Sequence, residues 1–227
     1  MNPKQRAAEA ALQYVESNSV IGLGSGSTAD CFLVALAAAL RSGKVVNIIG
    51  VPTSEQTTKR AGELNIPLTT LVKSPRITVT VDGADEISPT LDLIKGAGGA
   101  LLREKIVAQS SDRLVIIADE SKVVAKLGAK HALPVEVAQF AHEATGVFLA
   151  TLGCTATLRK TPDGSKYITD NGNVIYDCRF AGGIDDPRVL ERKLGARAGV
   201  VETGLFLGMA TLALVANSSD VKVLRKT

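Results

Sequence analysis

From residue 19 to residue 118, strand-like apolar runs alternate with helix-like ones, and short glycine-containing joints separate them. That rhythm constrains the fold more than any other feature, because it is the pattern of βα units laid on a parallel sheet. Residues 4–17 read as an opening helix, with Ala8, Ala11, Leu12 and Val15 at helical spacing. Ser19–Leu23 reads as a strand. Ala29–Arg41 reads as a helix carrying Phe32, Leu33, Leu36 and Leu40 on one face, stopped by Gly43. Strands are expected at Val45–Val51, Ile77–Val81 and Leu114–Ala118, the last a continuous apolar run suited to a buried parallel strand. Between them, helices are expected from Ser54, as N-cap, to Leu64 and over Gly99–Gln109.

After Lys122 the texture changes. Leu133–Val137 contains Pro134 and is expected at a sheet edge, where a missing N–H is tolerated. A helix follows through Leu149, and Thr155–Leu158 is expected to pair with Tyr167–Thr169 across Pro162-Asp163-Gly164. Asp170-Asn171-Gly172-Asn173 signals a tight turn into Val174–Cys178. A helix near Pro187–Leu194 closes this region, and Gly199–Ala216 is expected to return to the main sheet. The expected fold is α/β: a Rossmann-like open sheet with helices on both faces plus a smaller α+β domain. Residues 1–130 and 203–227 would form the main domain, which holds the catalytic candidates, and residues 131–202 the small one.

Composition excludes several function classes. Apolar residues at 45% and charged residues at 22% are ordinary for a soluble globular chain. The net charge of +3 is too small to argue for nucleic acid, and no basic stretch interleaves with aromatics. Cys31, Cys154 and Cys178 are scattered, without disulfide or zinc spacing. The first residues lack the apolar core of a signal peptide, and the apolar run Leu205–Ala216 is shorter than the roughly 20 residues that span a bilayer. A cytoplasmic protein with no nucleic-acid or membrane partner is expected. Leu205–Ala216 and the small domain offer more apolar surface than one small fold usually hides, which points to self-association; a homodimer or homotetramer is expected.

The chemistry-bearing residues fall at the ends of these elements. Val79-Thr80-Val81-Asp82-Gly83-Ala84-Asp85-Glu86 runs as a β-branched strand, then turns abruptly acidic at Asp82, Asp85 and Glu86. Burying unpaired charge is costly, so folding alone explains these acids poorly. The carboxyl edge of an open α/β sheet is where ligands bind, which makes Asp82 and Asp85 the candidate floor of a polar pocket. Gly22-Leu23-Gly24-Ser25-Gly26-Ser27-Thr28 joins a strand to a helix, and unobstructed N–H groups at a positive helix end suit a phosphate. A tight turn capped by Ser27 or Thr28 explains the glycines about equally well. The dinucleotide fingerprint fits badly, since Ser27 takes the third glycine position and no acid lies near Val45–Asn47; no Walker Gly-Lys-Ser/Thr follows either.

Lys95-Gly96-Ala97-Gly98-Gly99-Ala100 sets a cation before a second Gly-rich joint, where it can meet a phosphate or a developing oxyanion. An exposed loop lysine is the commoner reading of any lone lysine. Glu104 has only Ala100, Leu101, Val107 and Ala108 at helical-neighbour positions, so it lacks an intrahelical ion pair and suits a general base. Arg103 has equally apolar neighbours, so the pattern does not by itself single out Glu104. Asp119-Glu120-Ser121-Lys122 repeats the strand-then-charge pattern; parallel strands would bring Lys122 and Asp82 out on one edge, and a solvated loop explains it as well. His131 and His142 lie apart from these clusters, and no set with metal-ligand spacing stands out.

Taken in order, Gly24-Ser25-Gly26-Ser27-Thr28-Ala29, Asp82-Gly83-Ala84-Asp85-Glu86, Lys95-Gly96-Ala97-Gly98 with Arg103-Glu104-Lys105, Asp119-Glu120-Ser121-Lys122, Leu133–Val137 and Thr169–Asn173 closely resemble the type A ribose-5-phosphate isomerases. The likeness runs from about Ala11 to Leu207. The resemblance implies interconversion of D-ribose 5-phosphate and D-ribulose 5-phosphate through an enediolate, in the non-oxidative pentose phosphate pathway, with a sugar phosphate as partner and no cofactor or metal. It implies Glu104 as the base moving a proton between C2 and C1, and Lys95 as the cation beside the enediolate oxygens. Asp82 and Asp85 would assist ring opening and proton movement among hydroxyls. The implied substrate-binding segments are Ser25, Gly26, Ser27 and Thr28; Asp82, Gly83, Ala84 and Asp85; Lys95, Gly96, Ala97 and Gly98; and Lys122. Lys4 aligns, over a short stretch only, with a lysine near the phosphate. Ser25 stands where threonine is frequent and keeps the hydroxyl. Ala97 stands where many members have glycine, which matters if the backbone there needs a positive φ.

Two rival classes share these residues. A non-catalytic sugar-phosphate sensor would use the same scaffold, although the chain has no helix-turn-helix segment to read DNA. A coenzyme A transferase relative would use Glu104 as nucleophile, but this chain is short for one and lacks the second half.

Overall fold

The computed structural model describes residues 2–226. In chain order its helices are α1 (Pro3–Ala11), α2 (Ser27–Arg41), α3 (Glu55–Glu63), α4 (Leu101–Gln109), α5 (His142–Ala150) and α6 (Pro187–Gly195). Its strands are β1 (Val20–Leu23), β2 (Ile49–Pro52), β3 (Val79–Gly83), β4 (Glu86–Ile87), β5 (Leu93–Ile94), β6 (Leu114–Asp119) and β7 (Leu133–Val137). The remainder are β8 (Cys154–Leu158), β9 (Val174–Phe180), β10 (Val200–Thr203), β11 (Leu205–Phe206), β12 (Leu212–Ala216) and β13 (Val221–Arg225). The chain divides into two compact units, one of residues 1–84, 103–122 and 208–227, the other of residues 85–102 and 123–207. Residues 85–102, 123–130 and 203–207, expected in the main domain, thus group with the second unit.

The first unit is built on a sheet of order β13-β12-β6-β3-β1-β2, parallel except for the β12–β13 pair. Alternation along the strands sorts its two faces. Ile21, Leu23, Val79, Val81, Val115, Ile117, Leu212 and Leu214 pack with Ala7, Ala8 and Ala11 of α1 and Phe32, Leu33 and Leu36 of α2. Val20 of β1 and Val51 of β2 instead pack with Val107 of α4 on the opposite face. Helices therefore cover both faces, and each fully buried Leu, Ile or Phe contributes about 1.5–3 kcal/mol of burial. The chain leaves β1 for β2 on one side and returns as β3 on the other, so the order reverses between β1 and β3.

In the second unit the antiparallel sheet runs β10-β7-β9-β8, with a small three-stranded sheet β11-β5-β4. Leu133, Val135 and Val137 of β7 face Leu149 of α5 and Leu190 and Leu194 of α6. Pro134 and Glu136 alternate onto the other face.

Several expectations need correction. Leu133–Val137 is an interior strand, between β10 and β9. Pro134 is tolerated because its carbonyl, and with it the N–H it lacks, turns to the β10 side, where the ladder ends at Thr203↔Val135 and Gly204 N–H donates to Pro134 O at 2.8 Å. The opening helix stops at Ala11 and tightens into a 3₁₀ turn over Leu12–Tyr14. The second strand begins only at Ile49, because Asn47 takes a left-handed φ of 55°. Thr155–Leu158 pairs with β9 instead of Tyr167–Thr169, and only Lys160↔Lys166 bridges across the Pro162-Asp163-Gly164 turn. From Gly199–Ala216, only Leu212–Ala216 joins the main sheet. Leu205, Phe206 and Leu212–Ala216 are buried inside the chain, so that run is not the surface from which self-association was argued.

Candidate functional site

The β1/β3 reversal is the crevice that an open α/β sheet offers a ligand, and two glycines make it tight. A Cβ on Gly22 would lie 1.8 Å from Thr80 Oγ1 and 2.8 Å from Val107 Cγ1. A Cβ on Gly24 would lie 2.2 Å from Asp82 Oδ1 and 2.6 Å from Asp82 Cα. Gly22 and Gly24 therefore let Thr80 and Asp82 stand on the α4 face of the sheet. Asp82 is 1% exposed, and its Oδ1 accepts the N–H groups of Gly83 at 2.7 Å and Ser25 at 3.1 Å. The abrupt acid at the strand end is thus a buried carboxylate held by main-chain donors.

The helix opening after β1 carries no side-chain cap. Gly26 is the N-cap of α2 with φ 92°, so the reading of Ser27 or Thr28 as cap is overturned and the first N–H groups stay unclaimed by side chains. Ser25 turns its hydroxyl inward, within 2.8 Å of Thr53 Oγ1 and Ser54 Oγ and 3.1 Å of Thr57 Oγ1. Gly26 and Ser27 are exposed and Thr28 is half-buried. Lys4 reaches from the first turn of α1 to donate to Ser27 Oγ at 2.8 Å, bringing a cation to the start of α2. Lys122 ends a 3₁₀ turn directly after β6, whose parallel register with β3 (Gly83↔Ile117) puts it at the same carboxyl edge as Asp82. Asp119 stands beside both lysines. Burial pulls its carboxyl upward, but the Ser121 hydroxyl and N–H, then Lys122 and Lys4, outweigh it and hold it below its ordinary value of 3.8.

Structure separates Arg103 from Glu104, which the sequence pattern did not. Arg103 is half-buried and pairs with Glu55 of α3 at 2.6 Å, whereas Glu104 is only 4% exposed. Glu104 precedes Val107 by three residues and so shares its side of the helix. That is the face on which Val107 meets β1, and on which Thr80 and Asp82 stand. Within the first unit, Ser25–Thr28, Asp82–Ala84, Glu104 and Lys122 come from β1, β3, α4 and the end of β6. The neighbouring strands β1, β3 and β6 release their residues at one edge.

The second unit carries the other candidates. Asp85 is half-buried, and its Oδ2 accepts the Ala97 N–H at 2.9 Å. Lys95 is 2% exposed, which excludes the reading of a loose surface lysine. Its ammonium lies 5.4 Å from the Phe206 ring centroid, and its N–H donates to Gly204 O at 2.9 Å. The turn that follows uses positive φ at Gly96 (100°) and Gly99 (84°) but not at Ala97, so alanine there causes no backbone conflict. Ala97 and Gly98 are exposed and Gly96 is buried. The histidines serve other contacts: the His131 main-chain N–H donates to the buried Glu86 at 2.6 Å, and His142 Nδ1 lies 2.9 Å from Tyr176 Oη. Among the described residues no group of three or more His, Cys, Asp or Glu side chains is placed to hold a metal, and no helix is long and apolar enough to cross a membrane. The three cysteines are free thiols.

Comparison with known proteins identifies the family. Residues 49–220 match the family model for ribose 5-phosphate isomerase A (phosphoriboisomerase A). The ribose-5-phosphate isomerase A of Roseiflexus castenholzii is 52% identical over 218 residues, covering 96% of this chain and 93% of its own. That of a Synechococcus species is 49% identical over 225 residues, covering 99% of this chain and 97% of its own. Among solved structures, the ribose 5-phosphate isomerase of Plasmodium falciparum superposes with a TM-score of 0.95 at 41% identity, covering 100% of both chains. A D-ribose-5-phosphate isomerase in complex with phospho-erythronic acid gives 0.95 at 40% identity, covering 99% of this chain and 100% of its own. With its switch-point carboxylate, its uncapped helix opening and these matches along nearly its whole length, the chain belongs to the ribose-5-phosphate isomerase A family.

Proposed function

We infer that the chain is a ribose-5-phosphate isomerase, interconverting D-ribose 5-phosphate and D-ribulose 5-phosphate through an enediolate. The carrying observation is Glu104: a buried carboxylate near the start of α4, on the sheet face where Asp82 stands. In the aldose-to-ketose direction, Asp82 and Asp85 assist ring opening by moving protons among the sugar hydroxyls. Glu104 then takes the proton from C2 of the open chain, and the C1 carbonyl oxygen becomes the enediolate oxygen, whose charge the Lys95 ammonium offsets. Glu104 returns the proton to C1 while the C2 oxygen becomes the new carbonyl, its proton passing to O1. Proton transfer by one placed base contributes about 10² to 10⁴ in rate. Preorganised donors at the oxyanion are each worth about 10² or more. Every step is met by a carboxylate, an ammonium or a main-chain N–H, so the scheme calls on no metal and no organic cofactor.

The phosphate in this reading is held by Gly26, Ser27 and Thr28 at the uncapped start of α2, with Lys4 and Lys122 supplying charge. Ser25 contributes mainly by bracing Asp82. Gly83 and Ala84, and Gly96, Ala97 and Gly98, give backbone close to the sugar. The catalytic domain in this reading spans residues 1–130 and 203–227, with 131–202 as the small domain. The enzyme works in the cytoplasm, in the non-oxidative pentose phosphate pathway, as a homodimer or homotetramer. Self-association is supported by Phe140 and Val147 in the second unit, 94% and 70% exposed. The sensor alternative predicts sugar-phosphate binding without turnover. The deciding experiment is a coupled assay of ribose 5-phosphate conversion with chelator present. Turnover supports the isomerase scheme, and binding without turnover sinks it.

A further inference from the structure

Arg159, directly after β8, is a half-buried charge that none of the roles above uses. Its Nε donates to Asp177 Oδ2 at 2.9 Å and its Nη2 to Asp177 Oδ1 at 2.5 Å, a two-point fork onto β9. The remaining arm, Nη1, donates to the main-chain oxygens of Gly96 and Ala97, both at 3.1 Å. The guanidinium lies 5.7 Å from the Tyr167 ring centroid, and Tyr167 Oη donates to Gly98 O at 3.2 Å. The ring also packs flush on the turn, since a Cβ on Gly99 would lie 2.2 Å from Tyr167 Oη. Consecutive carbonyls of the Gly-rich joint are thus gripped from one side by two planar groups.

Peptide geometry converts this grip into an orientation. In a trans peptide the C=O and the next N–H point opposite ways. With Gly96 O on Arg159, the Ala97 N–H faces away, where Asp85 Oδ2 accepts it at 2.9 Å. With Ala97 O also on Arg159, the Gly98 N–H is turned to that same side. We propose that Arg159, locked by Asp177 and backed by Tyr167, is a positioning residue for the isomerisation. It fixes the Gly96–Gly98 backbone so that the Gly98 N–H and Asp85 meet the substrate oxygens together. The inference rests on the isomerase reading and names a residue outside every motif that suggested it. Arg suits the place because its rigid fork binds a carboxylate and still presents a donor edge, which an ammonium does not.

The test compares Arg159→Ala, Arg159→Lys and Asp177→Asn with wild type in steady-state ribose 5-phosphate isomerisation, alongside thermal melting. The expected result is a kcat about 10²-fold lower in Arg159→Ala, the loss that a shift of about 1 Å produces, with KM changed far less. Arg159→Lys follows Ala, Asp177→Asn falls between, and added guanidinium ion restores part of the Arg159→Ala kcat while Glu104→Gln stays unrescued. A folded Arg159→Ala with kcat within about twofold of wild type, a shift below what such misplacement causes, overturns the proposal. So does a loss that merely tracks the unfolded fraction and disappears on cooling. If wild type itself fails to turn over ribose 5-phosphate, the isomerase reading falls first, and the two failures are told apart.

Discussion

Gly24→Ala isolates the claim that the β1/β3 crevice exists to place Asp82. The new Cβ would lie 2.4 Å from Asp82 Cγ and 2.6 Å from its Cα, so turning the side chain cannot relieve the overlap. An ordinary carbon–carbon contact is about 3.5–4.0 Å, which requires Asp82 to move by about 1 Å or more. Overpacking of this kind costs about 1–3 kcal/mol, and in a chain of this length about 2–12 °C of melting temperature. The functional cost is larger: misplacing a reacting group by about 1 Å removes about 10² in rate. Gly22→Ala is the matched control. Its Cβ would strike Thr80 Oγ1 at 1.8 Å and Val107 Cγ1 at 2.8 Å, an overlap that involves no atom of Asp82. Both variants should melt early in a calorimetric scan. At a temperature where both are folded, only Gly24→Ala should lose about 10² in kcat. A folded Gly24→Ala at near wild-type kcat, or an equal loss in Gly22→Ala, would refute the reasoning.

Two further outcomes follow from local contacts. Ser54 Oγ accepts the Thr57 N–H at 3.0 Å as N-cap of α3; Ser54→Ala should cost about 1 kcal/mol and lower the melting temperature by about 2–4 °C. The Asp119 carboxyl is held below its ordinary 3.8 in the folded chain by Ser121, Lys122 and Lys4, which outweigh burial. The unfolded state therefore binds this proton first as pH falls, so the stabilisation is full at neutral pH and fades below about 3.8. Asp119→Asn should thus melt below wild type at pH 7, with the gap narrowing as acid is added; a gap constant with pH contradicts the assignment.

Much of this fold is legible because period and punctuation agree locally. Phe32, Leu33 and Leu36 mark the buried face of α2, Ser54 caps α3, and Gly172 with φ 78° makes the turn into β9 that Asp170–Asn173 announces. What escapes the sequence is either short or decided at long range. Strands β4, β5 and β11 are two residues each, too brief to show alternation. Pro134 reads as an edge signal, and only the end of the β10 ladder makes an interior strand acceptable to it. The candidate site divides the same way. Asp82 and Lys95 announce themselves by charge at a strand end or beside glycines, but choosing Glu104 over Arg103 needs the Arg103–Glu55 pair that only folding reveals. Arg159 carries no motif at all. It matters through Asp177 and the Gly96–Ala97 carbonyls, partners 18 to 63 residues away.

The whole scheme turns on Glu104 as the group that moves the carbon-bound proton, and isotope exchange reads that step directly. Wild type and Glu104→Gln are incubated with ribose 5-phosphate in deuterated water, and label at C2 of the aldose and C1 of the ketose is followed by NMR. Wild type should build label at both carbons, and the folded variant should lose exchange and turnover together by about 10² to 10⁴. A folded Glu104→Gln that exchanges at the wild-type rate would show that another base does the chemistry.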